Sequence, residues 1–201
     1  KMVDLVIEVI DARIPISSRN PIIDELVSGK KRIIVLNKSD LSDRIENEKW
    51  AAHFEGEGNL VVTMNCMTGN GVSRLFKVLE KEQAVKNEGQ ARNKPLRMMI
   101  VGVPNVGKSS LINRMTGRKS AQTGDRPGVT RGKQWLALKN GMQLLDTPGI
   151  LWPKFEDPKA GLNLAFCGSI KDEILDTASL ALELIGVLQG YYPEELCSRY
   201  K

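Results

Sequence analysis

Three clusters of residues in this chain are suited, by type and spacing, to holding a purine nucleotide. Gly102-Val103-Pro104-Asn105-Val106-Gly107-Lys108-Ser109 satisfies the phosphate-loop pattern G-x-x-x-x-G-K-[ST]. Its two glycines let the backbone curl until successive N–H groups converge on phosphate oxygens, and a helix beginning near Ser109 would aim its positive end at the same place. Asn105, Val106, Gly107, Lys108, Ser109 and Ser110 are the expected cradle, with Lys108 bridging the β- and γ-phosphates and the Ser109 hydroxyl ligating Mg²⁺. Asn37-Lys38-Ser39-Asp40 fits N-K-x-D. The Asp40 carboxylate can accept from N1–H and the 2-amino group of guanine, an edge that adenine lacks. Asn37 would contact N7 and bridge to the phosphate loop, and the stem of Lys38 would cover the base. Asp146-Thr147-Pro148-Gly149 fits D-x-x-G, in which Asp146 holds Mg²⁺ through a water and the Gly149 N–H meets the γ-phosphate.

The order of these clusters is as informative as their content. In an ordinary GTPase the phosphate loop comes first, then D-x-x-G, then the guanine reader. Here the reader precedes both, so the sequence reads as a circularly permuted GTPase. Asn65-Cys66-Met67-Thr68-Gly69 sits where a GTPase directs backbone N–H groups at guanine O6, which assigns that role to the backbone of Cys66 and Met67. Thr130 is the candidate switch threonine for Mg²⁺ and γ-phosphate, with Thr123 as the alternative. The hydrolytic roles that these motifs carry fall to Lys108, Thr130 and Gly149. After Gly149 the water-orienting Gln is replaced by Ile150 and Leu151, which predicts slow unaided hydrolysis.

The elements needed to position these groups are legible in outline. Residues 3–10 and Arg32–Leu36 are apolar, β-branched runs that end at Asp11 and Asn37, and ligands of open α/β sheets bind at such strand ends. A helix is expected over 21–28, stopped at Gly29. A third strand, 60–64, leads to a helix over about 71–82 with Val72, Leu75, Phe76 and Leu79 on one face. Leu96–Val101 is the strand before the phosphate loop, and Ser109–Met115 the helix after it, stopped at Gly117. Gln134–Leu138 and Met142–Leu145 flank Asn140-Gly141, a two-residue hairpin signature. Beyond the switch, Ile174, Ala178, Ala181, Ile185 and Leu188 recur at helical spacing, with Gly190 as a stop. The expected organisation is a mostly parallel sheet with helices on both faces over residues 1–152, with a linker at 83–95 joining its two halves, and a small helical domain over 153–201.

Composition limits the alternatives. With 41% hydrophobic and 26% charged residues among 201, the chain is globular in type. No apolar run approaches the roughly 20 residues of a membrane span, and no signal-peptide pattern opens the sequence, so a cytoplasmic compartment and no membrane are expected. The chain opens on Lys1 almost directly into a strand, as if an upstream segment had been lost; a targeting signal there would redirect it to an organellar matrix. Cys66, Cys167 and Cys197 are odd in number and far apart, which reads as reduced thiols, and the lone His53 reads as a surface or packing residue. Residues 1–152 hold 24 Lys and Arg against 16 Asp and Glu, whereas 153–201 hold 5 against 8. Arg114, Arg118, Lys119, Arg126, Arg131, Lys133 and Lys139 form a basic stretch opposed only by Asp125, a face suited to RNA phosphates.

The motif order, the strand end Asp11-Ala12-Arg13-Ile14-Pro15 and the string from Asp146 through Trp152-Pro153-Lys154-Phe155 resemble the circularly permuted ribosome-assembly GTPases known as the YlqF or RbgA family, over essentially the whole chain. The resemblance implies a Ras-like G domain with a C-terminal helical domain, GTP and GDP as ligands, and the large ribosomal subunit or its precursor as the partner that stimulates hydrolysis. It also implies potassium assistance through Asn105 and a hydrophobic residue, Ile150, in place of the catalytic Gln. The family's proposed catalytic His lies in an N-terminal segment that this sequence lacks, and His53 does not match it. A monomer is expected. Two other readings stand beside this one: a GTP-dependent RNA- or ribosome-binding module with incidental hydrolysis, and an ATP-using kinase or ATPase, which Asp40 disfavours.

Overall fold

The computed structural model describes residues 2–27, 29–117, 134–138, 140–147, 151 and 157–200. Six strands form one sheet: β1 (Leu5–Asp11), β2 (Lys31–Asn37), β3 (Leu60–Thr63), β4 (Arg97–Val101), β5 (Gln134–Ala137) and β6 (Gln143–Asp146). Their spatial order is β3-β2-β1-β4-β6-β5, with every pairing parallel except β5 on β6. Renumbered as though the chain began at β4, that order becomes 2-3-1-4-5-6, so the permutation inferred from motif order is present in the sheet. The chain fans outward from the centre in opposite directions, and the C-terminal ends of β1 and β4 meet at the switch point where a ligand crevice opens.

Every residue of β1 is buried, because helices cover both faces of the sheet. Leu5, Ile7 and Val9 join a core with Leu75 and Leu79 of α3 (Val72–Asn87) and Leu111, Ile112 and Met115 of α4 (Lys108–Thr116). Alternate residues turn the other way. Ile10 packs with Ile34, Leu36 and Phe54 of α2 (Arg44–Gly56), and Val6 with Ile23 of α1 (Pro21–Leu26). Asn20 caps α1 by accepting from Ile22 N–H at 3.0 Å, and Asp43 caps α2 by accepting from Ile45 and Glu46 at 2.8 and 3.0 Å. His53 packs edge-on against Trp50 at 5.5 Å, a packing residue as expected.

Several boundaries differ from the sequence reading for identifiable reasons. α3 runs to Asn87 rather than about 82, so the first residues of the anticipated linker are helical. The rest is tied down: the Asn87 side chain exchanges hydrogen bonds with the backbone of Lys94, and Asp4 Oδ2 accepts from Lys86 Nζ at 2.6 Å and Arg97 N–H at 2.9 Å. The splice is thereby fastened to the start of the chain. In the hairpin, Leu138 N–H donates to Met142 and Gly141 N–H donates back to Leu138. Those two bonds, with Gly141 left-handed at φ +72°, close the hairpin between Leu138 and Met142 rather than by the two-residue turn at Asn140-Gly141.

After the switch come α5 (Pro158–Phe166), a 3₁₀ turn (Asp172–Ile174), α6 (Thr177–Tyr191) and α7 (Pro193–Arg199). Gly190 does not stop α6; Pro193 opens the next helix instead. Leu164 of α5 is fully buried in the main core, whereas α6 and α7 have no buried residue.

Candidate functional site

The phosphate loop follows β4 directly. Gly102 has φ +149° and Gly107 φ +101°, conformations L side chains resist. A Cβ at Gly102 would lie 2.3 Å from the Val9 carbonyl, and one at Gly107 2.2 Å from Asn37 Nδ2. Gly107 is the N-cap of α4, so the helix N-terminus opens onto the loop, with Ser109 and Ser110 in its half-buried first turn. Lys108 is buried, and its Nζ donates to the carbonyls of Gly102 at 3.0 Å and Val103 at 2.7 Å. Burial pushes its pKa down to about 8, with Asp146 pulling the other way. Asp146, at the end of β6, is also buried; loss of solvation raises its pKa while Lys108 opposes the rise. Among the described residues Asp146 Oδ1 has no hydrogen-bond partner.

Asn37 ends β2 and is 3% exposed. Its Nδ2 donates to the Val106 carbonyl at 2.7 Å, and its Oδ1 accepts from Cys66 N–H at 2.9 Å. One side chain thus joins the guanine reader to the phosphate loop, as its spacing in the sequence implied, and also to the loop after β3. Lys38 adopts φ +60°, and its Nζ lies 3.0 Å from Asp11 Oδ2. Asp11 is further gripped by Arg13 through Nε at 2.9 Å and Nη2 at 2.7 Å. Burial alone would raise the Asp11 pKa, but the two cations hold it below the ordinary carboxylate value. Asp40 is exposed on the rim.

The loop 65–69 departs from expectation. Cys66 N–H is taken by Asn37, and Met67 N–H donates to Asn65 Oδ1 at 2.8 Å, with Thr68 N–H on the same oxygen at 3.0 Å. Neither amide assigned to guanine O6 is a free donor. The Cys66 thiol is buried and its pKa is pushed up to about 12, which makes it inert. Two further residues were missed as site residues. Asn65 organises this loop, a role its Asx-turn propensity signals. Arg114, expected in an RNA-facing stretch, instead donates through Nε to the Cys66 carbonyl at 3.1 Å and through Nη2 to the Met67 carbonyl.

Asn105, left-handed at φ +59°, points its Nδ2 at the carbonyls of Gly168 (3.3 Å) and Cys167 (3.5 Å) just past α5. Asn163 Nδ2 on the same helix donates to Ser17 Oγ at 3.0 Å. Thr130, Thr123, Gly149, Ile150, Trp152, Pro153, Lys154 and Phe155, and the basic residues Arg118, Lys119, Arg126, Arg131, Lys133 and Lys139 with Asp125, lie outside the described residues. Leu151 is half-buried against the core. Among the described residues no group of His, Cys, Asp and Glu forms a self-sufficient metal site.

Known proteins share this arrangement. A family model described as 50S ribosome-binding GTPase matches residues 97–193. Ribosome biogenesis GTPase A of Bacillus cereus is 47% identical over 204 residues, spanning 100% of this chain and 69% of that protein. Mitochondrial ribosome-associated GTPase 1 of Mus musculus is 40% identical over 95% of this chain and 62% of its own length. The crystal structure of GNP-bound YlqF from T. maritima superposes with a TM-score of 0.69 at 31% identity, covering 94% of this chain and 70% of that one. The GDP-bound structure of the same protein gives 0.69 at 33% identity, over 94% and 74%.

Proposed function

This chain belongs to the ribosome biogenesis GTPase A family, and on that premise we propose how its residues run the GTPase cycle and what the cycle serves. It is a GTPase, with GTP as substrate and GDP and phosphate as products. The reading is carried by Asn37, a buried amide whose two ends hold the phosphate loop through Val106 and the guanine loop through Cys66. Asp40, exposed three residues along, is assigned to the N1–H and 2-amino edge, so that guanine would be bound in preference to adenine. Lys38 covers the base, its stem directed by the ion pair with Asp11. Lys108 exchanges the Gly102 and Val103 carbonyls for β- and γ-phosphate oxygens.

Asp146 Oδ1, buried and without a hydrogen-bond partner among the described residues, suits a hydrated hard cation, and Ser109, in the first turn of α4, would supply a hydroxyl; these two residues would hold Mg²⁺. Bound there, the ion neutralises charge developing on the phosphate oxygens. Thr130 and Gly149 are assigned to the γ-phosphate. Potassium assistance through Asn105 would use its Oδ1, because Nδ2 donates to the turn after α5. Ile150 and Leu151 cannot orient a nucleophilic water, so hydrolysis waits on a partner.

The match to 50S ribosome-binding GTPases supports the large ribosomal subunit or its precursor as that partner, with assembly as the process; the basic residues from Arg118 to Lys139 are assigned as its rRNA contact on their charge. Among the described residues no helix is long and apolar enough to cross a membrane. A cytoplasmic or organellar-matrix location accords with relatives named from bacteria and mitochondria. We divide the chain at about 152, with α5 docked on the G domain through Leu164 and Asn163 and the less buried α6 and α7 free to answer the switch. Calorimetry with GTP, GDP and ATP, followed by turnover with and without large subunits, tests the proposal. Equal affinity for ATP would refute the base site, and turnover indifferent to subunits would favour a binding module.

A further inference from the structure

We propose that Arg114 is a specificity-positioning residue, which fixes the loop along guanine's edge to the phosphate-loop helix and so makes base binding and phosphate binding one event. The proposal rests on the reading of Asn37–Asp40 and residues 65–69 as the base site. Its ground is the pair of peptide planes 66–67 and 67–68. Arg114 holds the oxygen of each, through Nε on Cys66 at 3.1 Å and Nη2 on Met67. Asn65 Oδ1 holds the N–H of each, at 2.8 Å on Met67 and 3.0 Å on Thr68.

In a trans peptide the C=O and N–H point in opposite directions, so a plane gripped at both ends cannot turn. Neighbouring carbonyls match the guanidinium fork, and a lysine could satisfy them only one at a time. Gly69, left-handed at φ +92°, flanks the arrangement: a Cβ there would be in ordinary contact with the guanidinium, 3.5 Å from Arg114 Nη1. Arg114 lies on α4, the helix that begins at Lys108, and the same helix adds a weak contact from Ser110 Oγ to Met67 Sδ at 3.9 Å. Base loop and phosphate lysine therefore ride on one rigid element. The arginine is in this view engaged by the protein's own backbone and is not an RNA contact.

The test measures fluorescent GDP affinity and dissociation rate on the full chain, with inorganic pyrophosphate as a competitor that has no base. Arg114→Ala should weaken GDP by about tenfold, as expected for loss of charge-assisted hydrogen bonds, and narrow its preference over ADP, with pyrophosphate competition unchanged. Arg114→Lys should recover part of the loss. Hydrogen exchange at the Met67 and Thr68 amides should quicken in Arg114→Ala while that of α4 stays constant. A parallel fall in GDP and pyrophosphate binding would show a helix defect and overturn the proposal. So would unchanged GDP binding with reduced RNA binding. Asp40→Asn serves as the separate control: if it fails to shift preference toward xanthosine nucleotides, the base-site reading falls and the proposal with it. If Asp40→Asn shifts preference and Arg114→Ala leaves it intact, only the role of Arg114 is refuted.

Discussion

Raising the pH should make nucleotide binding take up a proton, and Lys108 should be the group that takes it. In the ligand-free protein its ammonium is buried among backbone carbonyls, and burial lowers its pKa from 10.5 to about 8. Such a lysine is about three-quarters neutral near pH 8.5 and about one-tenth neutral near pH 7. A bound diphosphate adds anionic charge to that of Asp146 and restores the ammonium. Terminal phosphates, with a second pKa of about 6, are already ionised in this range and release little. Titration of GDP without Mg²⁺, in buffers of different ionisation enthalpy, should give uptake of roughly 0.7 proton near pH 8.5 and roughly 0.1 near pH 7. The same depression has a stability consequence whose sign is fixed. Between about 8 and 10.5 the unfolded chain binds more protons at this position than the folded one, so ligand-free stability should rise with pH across that window. The depression corresponds to roughly 3 kcal/mol, present as a penalty below about pH 8. Uptake near zero at both pH values, or uptake that persists in Lys108→Ala, would refute the reasoning.

Asp40→Asn should weaken GTP and favour xanthosine nucleotides, because the amide N–H₂ then faces a C2 carbonyl; calorimetry decides. Asn37→Ala removes two buried hydrogen bonds and should cost about 2–4 kcal/mol, lowering the melting midpoint by roughly 5–15 °C and abolishing guanine preference. Gly107→Ala sets a Cβ against Asn37 Nδ2 in a left-handed conformation, and nucleotide affinity should collapse even if the fold survives, which circular dichroism would show. Unaided turnover should be on the order of 10⁻⁴–10⁻³ s⁻¹, faster in K⁺ than in Na⁺; equal rates in the two salts would remove Asn105 from the mechanism.

The parts of the site that repeat a fixed chemistry were legible before any coordinates. Gly102, Gly107 and Lys108 follow the phosphate-loop pattern, and the continuous apolar runs of β1 and β2 follow from burial on both sheet faces. Motif order announced the permutation, and the strand order in the sheet accords with it, since permutation moves the chain ends without moving the strands. What the sequence hid was local compensation. Cys66 and Met67 look available because backbone N–H groups carry no label, yet Asn37 and Asn65 already satisfy them. Arg114 was counted with the charges around it, although helical spacing from Lys108 decides which way it faces.

The helical region shows the same difficulty on a larger scale. Its composition reads as one appendage, yet α5 is joined to the G domain at three points of different chemistry: Leu164 in the core, Asn163 on Ser17, and the Cys167–Gly168 turn under Asn105. Gly168 is left-handed at φ +69°, and a Cβ there would meet Asn105 Nδ2 at 3.2 Å, so the close approach of the turn to the phosphate loop is built on a glycine. Buried residues in α5 and their absence from α6 and α7 divide the region by energetics rather than by sequence pattern. A phosphate loop whose Asn105 is bonded to the far end of α5 gives the permuted exit a second connection to the nucleotide, independent of the covalent one through Asp146.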